Sequence, residues 1–158
     1  MKYVDTAVVF SEIPDEVTLA INISECPIQC PDCHSKYLWE NVGKTLDETS
    51  LDSLIEQNEG ISCVCLMGGD AHVEEVMNLL KYIKRKYPDL KTAWYSGQDL
   101  SELPTRIDLS SLDFLKTGPY RKEFGPLTSK HTNQRFYTIK NVYGKYFMMD
   151  ETYKFHRK

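Results

Sequence analysis

Cysteines at positions 26, 30 and 33, in the run Cys26-Pro-Ile-Gln-Cys30-Pro-Asp-Cys33, constrain this chain more than any other feature. An iron–sulfur cube normally takes four thiolates, one per iron. Three from one short loop would hold three irons and leave the fourth open. An open coordination position is where a catalytic metal binds and activates a ligand. Pro27 and Pro31 stiffen the loop and remove competing backbone donors. The alternative is a structural zinc knuckle completed by His34 or a distant histidine. Cys30 and Cys33 have the spacing for it, but Cys26 does not fit and no second Cys/His pair follows.

The chain has 158 residues, with 19 Lys and Arg against 23 Asp and Glu, a formal charge of −4. That length suits one domain over residues 1–158, with a core at about 8–137 and an extension at about 138–158. The mildly acidic balance counts against a nonspecific nucleic-acid binder, which needs a basic face. The local basic run Lys81, Lys84, Arg85 and Lys86 reads as the wet side of a helix. Charges at Lys2, Asp5, Glu12, Asp15 and Glu16 interrupt any apolar stretch that would make a secretory signal. The uncharged run 17–24 is too short to span a bilayer. An odd count of five cysteines then points to metal or redox chemistry rather than a disulfide framework. A cytoplasmic protein with no membrane partner is expected.

Val17, Leu19, Ile21 and Ile23 alternate with Thr18, Ala20 and Asn22, the period of a strand. This strand runs straight into the cysteine loop, placing the metal site at a strand's C-terminal edge, where ligand sites of α/β sheets lie. Leu51, Leu54 and Ile55 share a helical face, with Asp47 or Thr45 as cap and Gly60 as stop. Residues 61–67 form a compact apolar strand ending in Gly68-Gly69-Asp70. Val73, Val76, Met77, Leu80, Ile83 and Tyr87 predict an amphipathic helix closed by Pro88, and residues 91–95 a strand ending at Ser96-Gly97. A weaker helix spans 99–111, broken by Pro104, before a strand at 113–116. Such alternation implies α/β architecture with βαβ units and mainly parallel strands. Residues 134–142 and 145–149, separated near Gly144, read as an antiparallel hairpin. The units are too few for a closed eight-stranded barrel of about 250 residues, so a partial, open barrel fits the length.

Three further groups bear on function. The glycines of Gly68-Gly69-Asp70 let a ligand's polar groups approach the backbone, and the Asp70 carboxylate can accept from an ammonium group. An ordinary strand-to-helix turn would also favour an acid there. Ser96-Gly97 holds the equivalent strand-end position on the next unit. Cys63 and Cys65 share one face of their strand, with core packing as the default and a vicinal redox pair as the alternative. In the tail, Phe136, Tyr137, Tyr143, Tyr146 and Phe147 resemble a stacking platform for single strands. The acidic net charge favours core packing or a partner-facing patch instead. His72, His131 and His156 have no ligand spacing.

The Cys-x3-Cys-x2-Cys motif followed by a strand-end Gly-Gly-Asp resembles the radical S-adenosylmethionine (SAM) superfamily. Within it, the chain is similar to the activating proteins of anaerobic ribonucleoside-triphosphate reductases over residues 8–137. The likeness rests on Cys26 through Ser35, Trp39, Met67-Gly68-Gly69-Asp70 and Tyr95-Ser96-Gly97. Thr117-Gly118-Pro119-Tyr120 is similar to the family's Asp-Gly-Pro-Tyr, and Thr132-Asn133-Gln134-Arg135 to its Ser-Asn-Gln-Arg. Asp32 stands where many superfamily members carry an aromatic residue. The resemblance implies a partial (open) radical-SAM βα barrel with mainly parallel strands and a C-terminal β-hairpin extension. It implies a 4Fe–4S cluster on Cys26, Cys30 and Cys33, with SAM chelated at the remaining iron. Gly68, Gly69 and Asp70 would hold the methionine ammonium, Ser96 would line the same cofactor-binding cleft, and the backbone of Asp32, Cys33 and His34 would run beside the nucleoside. The implied partners are the reductase large subunit and a one-electron donor such as flavodoxin or ferredoxin. Another small radical SAM enzyme, or a zinc-stabilised interaction module, is the competing expectation.

Overall fold

The computed structural model describes residues 1–103 and 105–156. In chain order its strands are β1 (Lys2–Val9), β2 (Thr18–Ile23), β3 (Lys44–Thr45), β4 (Cys63–Met67), β5 (Lys91–Tyr95), β6 (Phe114–Thr117), β7 (Arg135–Val142) and β8 (Lys145–Asp150). Two α-helices, α1 (Glu48–Glu56) and α2 (Val73–Lys86), follow β3 and β4. All strands join one sheet in the order β3-β1-β2-β4-β5-β6-β7-β8.

This is a mixed sheet, and it corrects the expected radical-SAM βα barrel. Only the β2–β4, β4–β5 and β5–β6 pairings are parallel; the other four are antiparallel. A barrel of βα units needs a helix after each strand to cover its outside. Here the β5–β6 crossover holds two short 3₁₀ turns, Leu100–Glu102 and Leu109–Ser111, where a helix was expected over 99–111. Asp108 caps the start of the second turn by accepting from the backbone N–H and hydroxyl of Ser110. The expected breaker, Pro104, lies outside the described residues.

Both helices pack on one face of the sheet. Asp47 and Ser50 form a reciprocal capping box at the start of α1. Val76, Leu80 and Ile83 of α2 are buried against Leu19, Val64, Leu66, Trp94 and Leu115. Glu74 and Glu75 in the first turn of α2, and Lys84, Arg85 and Lys86 in its last, complement the helix dipole. The opposite face carries Cys63, Cys65, Ala93, Phe114 and Phe136, covered by Ile13 and Leu127 from connecting segments and by Phe155 from the turn after β8. No described helix is long and apolar enough to cross a membrane.

The parallel strands β2, β4, β5 and β6 therefore end along one edge of the sheet. That edge carries the cysteine loop, the Gly68-Gly69 turn, Ser96-Gly97 and Gly118, and so assembles the site.

Candidate metal centre

The cysteine loop leaves β2 and is folded back onto residues 38–42. Ser24 donates its hydroxyl to the Val42 carbonyl at 2.6 Å, and the amides of Glu25 and Cys26 donate to the carbonyls of Glu40 and Leu38, each at 3.0 Å. Glu25 and Gln29, each immediately before a cysteine, sit at φ +62° and +49°, where non-glycine residues are strained. These two left-handed residues turn the chain so tightly that Cys26, Cys30 and Cys33 are all partly buried yet free thiols. The Cys33 amide closes a turn onto the Cys30 carbonyl at 3.0 Å.

Two of the sulfurs receive backbone donors. Cys33 Sγ accepts the Ser35 amide at 3.3 Å. Burial pushes the Cys26 thiol up, while hydrogen bonds from the backbone of Ile28 and Gln29 favour its thiolate. Hydrogen bonds to sulfur are among the protein's levers on an iron–sulfur centre.

Cys26 and Cys33 face a cleft of about 190 Å³ whose walls include Gly68, Asp70, Ser96, Trp39 and Lys116. The back wall is rigid. Gly68 and Gly69 have φ of +102° and +86°, and Trp94 Nε1 donates to the Gly68 carbonyl at 2.7 Å. Asp70 is buried; its carboxylate accepts from the Ser96 hydroxyl and, at 2.9 Å, from the Gly97 amide. Burial raises its pKa, and those two donors oppose the rise. Ile28 packs against Gly97, where a Cβ would stand 2.8 Å from Ile28 Cγ1. The strand end thus seats the cysteine loop directly.

The cleft brings together Cys26, Cys33, Gly68, Asp70 and Ser96 from the expected set. Cys30, Asp32, His34 and Gly69 stand outside its walls. His34 is exposed, its ring 5.3 Å from that of Tyr120, which ties the loop to the Gly118-Pro119-Tyr120 segment. Cys63 and Cys65 are fully buried on the far face, where burial raises both thiols well above their usual range. They belong to the core.

Lys116 was expected only as a strand residue. It enters the cleft from the end of β6, with Nζ 3.1 Å from the Gly118 carbonyl. Burial pulls its pKa down to about 8, against the pull of Asp70, Cys30 and Glu12. The signal in the sequence was its place at a strand end just before Thr117-Gly118. A second cavity of about 300 Å³, lined by Glu12, Leu127, Gln134 and Phe155, meets the first at Tyr95 and Lys116.

These residues fit a cluster. Three thiols lie on one loop, amides point at sulfur, and a cation faces the cleft. The indole N–H of Trp39 is buried in the cleft wall without an acceptor. Among the described residues, no three His, Cys, Asp or Glu side chains converge as ligands of one metal ion. A cube takes its thiolates on different irons.

No curated protein and no solved structure matches the chain. The family model for the 4Fe-4S single cluster domain matches residues 17–139, from the first residue before β2 to the middle of β7, and contains all three loop cysteines. By that match, spanning well over half its length, the chain belongs to the 4Fe-4S single cluster domain family.

Proposed function

We propose that this protein is a radical SAM activase, reductively cleaving S-adenosylmethionine at its 4Fe–4S cluster and generating a glycyl radical on an anaerobic ribonucleoside-triphosphate reductase. The observation that carries the reading is a three-thiol loop opening on a cleft walled by Gly68, Asp70 and Ser96. A 4Fe–4S cluster held by Cys26, Cys30 and Cys33 would supply one-electron reductive cleavage of SAM to methionine and a hydrogen-abstracting 5′-deoxyadenosyl group, with an external donor such as flavodoxin or ferredoxin providing the electron.

The chain's own residues bind, orient and exclude water. Cys26, Cys30 and Cys33 would each ligate one iron. Gly68 and Gly69 keep the backbone close to the methionine end, and Asp70 holds Ser96 and Gly97 in place behind it. Lys116 presents a positive charge to a carboxylate, and Trp39 an unused N–H donor. The backbone of Asp32, Cys33 and His34 borders the nucleoside. Gly118, Tyr120, Asn133 and Arg135 border the entrance for the reductase loop.

The test is anaerobic reconstitution followed by reduction with SAM. Formation of 5′-deoxyadenosine, abolished by Cys26→Ala, Cys30→Ala or Cys33→Ala, with a glycyl-radical signal on added reductase, is expected. A colourless protein holding one zinc, or cleavage retained in all three variants, would overturn it. Arg135→Ala is expected to weaken reductase binding.

A further inference from the structure

The exposed end of the β7–β8 hairpin lies beyond the family match and takes no part in the chemistry above. Charge is unevenly spread along the chain. Residues 116–158 carry ten Lys and Arg against three Asp and Glu, net +7, whereas residues 1–115 carry nine against twenty, net −11. A charge asymmetry of this size marks an interaction surface.

Two of those ten basic residues, Lys140 and Lys145, lie toward the exposed end of the hairpin. β8 is the last strand of the sheet, so one side of its backbone has no neighbouring strand. The pairs Lys140↔Phe147 and Val142↔Lys145 place these side chains, with Met149, on one face. Phe147, Met149 and Val142 are 53%, 50% and 50% exposed, and both lysines are exposed. The unpaired backbone groups of an open edge are a template for another strand, and lysines beside that edge disfavour a basic strand and favour an acidic one.

We propose that the free edge of β8 docks an extended segment of a partner protein in which acidic residues alternate with apolar ones. Main-chain hydrogen bonds would add it as a ninth strand, its apolar residues covering Phe147 and Met149 and its carboxylates meeting Lys140 and Lys145.

Two other occupants fit less well. Antiparallel self-pairing of β8 about a two-fold axis would keep the lysine faces of both copies on one side. It would gather four lysines there, while Asp150 lies on the opposite face with Tyr146 and Met148. Glu151 already engages Lys154 and Thr138. A nucleic-acid strand needs successive aromatic platforms. Phe147 stands on the lysine face and Tyr146 on the other.

The surface is remote from the cysteine loop. Thr117 at the site edge pairs with Arg135, and β7 runs away from it. Lys140 is therefore about 17 Å along the strand, and substitutions there leave the cluster undisturbed.

The experiment is an NMR titration of isotope-labelled, full-length protein with a short blocked peptide alternating Glu with Val and Thr. Amide shifts confined to residues 140–150, and binding that weakens with salt, are expected. Lys140→Glu combined with Lys145→Glu should weaken binding about tenfold or more, and Phe147→Ser should do so independently. The same peptide with Lys in place of Glu should bind at least about tenfold more weakly. Equal binding of the two peptides, or shifts centred elsewhere, would overturn the proposal. So would oligo-dT binding more tightly than the acidic peptide, or a dimer that Phe147→Ser dissolves.

Discussion

Ser96 donates its hydroxyl to Asp70 Oδ1 across the ends of two parallel strands, and the other carboxylate oxygen holds the Gly97 amide at 2.9 Å. One buried acid thus fixes the turn after β4 to the turn after β5, directly behind the cleft. Asp70→Ala leaves both donors unpaired and should lower stability by about 1–3 kcal/mol. Asp70→Asn retains one acceptor and should cost less. Urea unfolding of the two variants measures the difference.

The two sets of cysteines separate cleanly. Cys26→Ala, Cys30→Ala and Cys33→Ala should each lower reconstituted iron from about four per chain to near zero. Cys63→Ala and Cys65→Ala should keep the iron and lose about 1 kcal/mol of packing. Iron analysis beside thermal unfolding distinguishes them. Because burial holds both core thiols protonated, they should resist alkylation until the protein unfolds.

Two glycines should fail differently. At Gly97 a Cβ would press on Ile28 of the cysteine loop, so Gly97→Ala should reduce cluster loading several-fold with little loss of fold. At Gly69 it would stand 2.5 Å from Val76 Cγ2 with φ +86°, so Gly69→Ala should destabilise the whole domain by about 1–3 kcal/mol. Iron content and melting temperature, taken together, report which occurs.

Asp52 on α1 accepts from Tyr82, Lys86 and Tyr87 of the α2 region at 2.7, 2.5 and 2.7 Å. Partial burial alone would raise its pKa, but these three donors outweigh it and hold the carboxyl below its usual range. A depressed folded pKa contributes stability that is full above the unfolded value, about 3.9, and is lost as pH falls through the folded one. Asp52→Asn should therefore be less stable than the parent near neutrality. The gap should close below about pH 4, as followed by denaturant midpoints across that range.

Lys116 places a cation beside Asp70 and within electrostatic reach of Cys30. Lys116→Met should move the cluster's midpoint potential to more negative values, because the reduced cluster carries the extra negative charge. Lys116→Arg should largely restore it. An anaerobic redox titration followed by electron paramagnetic resonance reads the shift.

Much of the secondary structure was legible because it is set by local periodicity. The 91–95 strand, the Val73–Lys86 helix with Tyr87-Pro88 at its end, and the Asp47 cap all stand where spacing placed them. β1 was not foreseen. A register shift between Tyr3 and Asp5 breaks its alternation, so no period of two runs through Lys2–Val9. The tail aromatics divided: Phe136 is buried, whereas Tyr143, Tyr146 and Phe147 are exposed because the hairpin extends past the helices and loops that cover the sheet.

What the chain disclosed by itself was the cysteine loop, its attachment to a strand end, and the glycine turn on the next strand. Covalent spacing and side-chain period carry that information within a few residues. Tertiary structure alone decided that antiparallel strands flank a short parallel core, that Lys116 enters the cleft, and that Asp70 spends its carboxylate on Ser96 and Gly97. Those outcomes depend on pairing between segments far apart in the chain. Their free energies are settled by burial and hydrogen-bond satisfaction across the whole sheet, not by any local pattern.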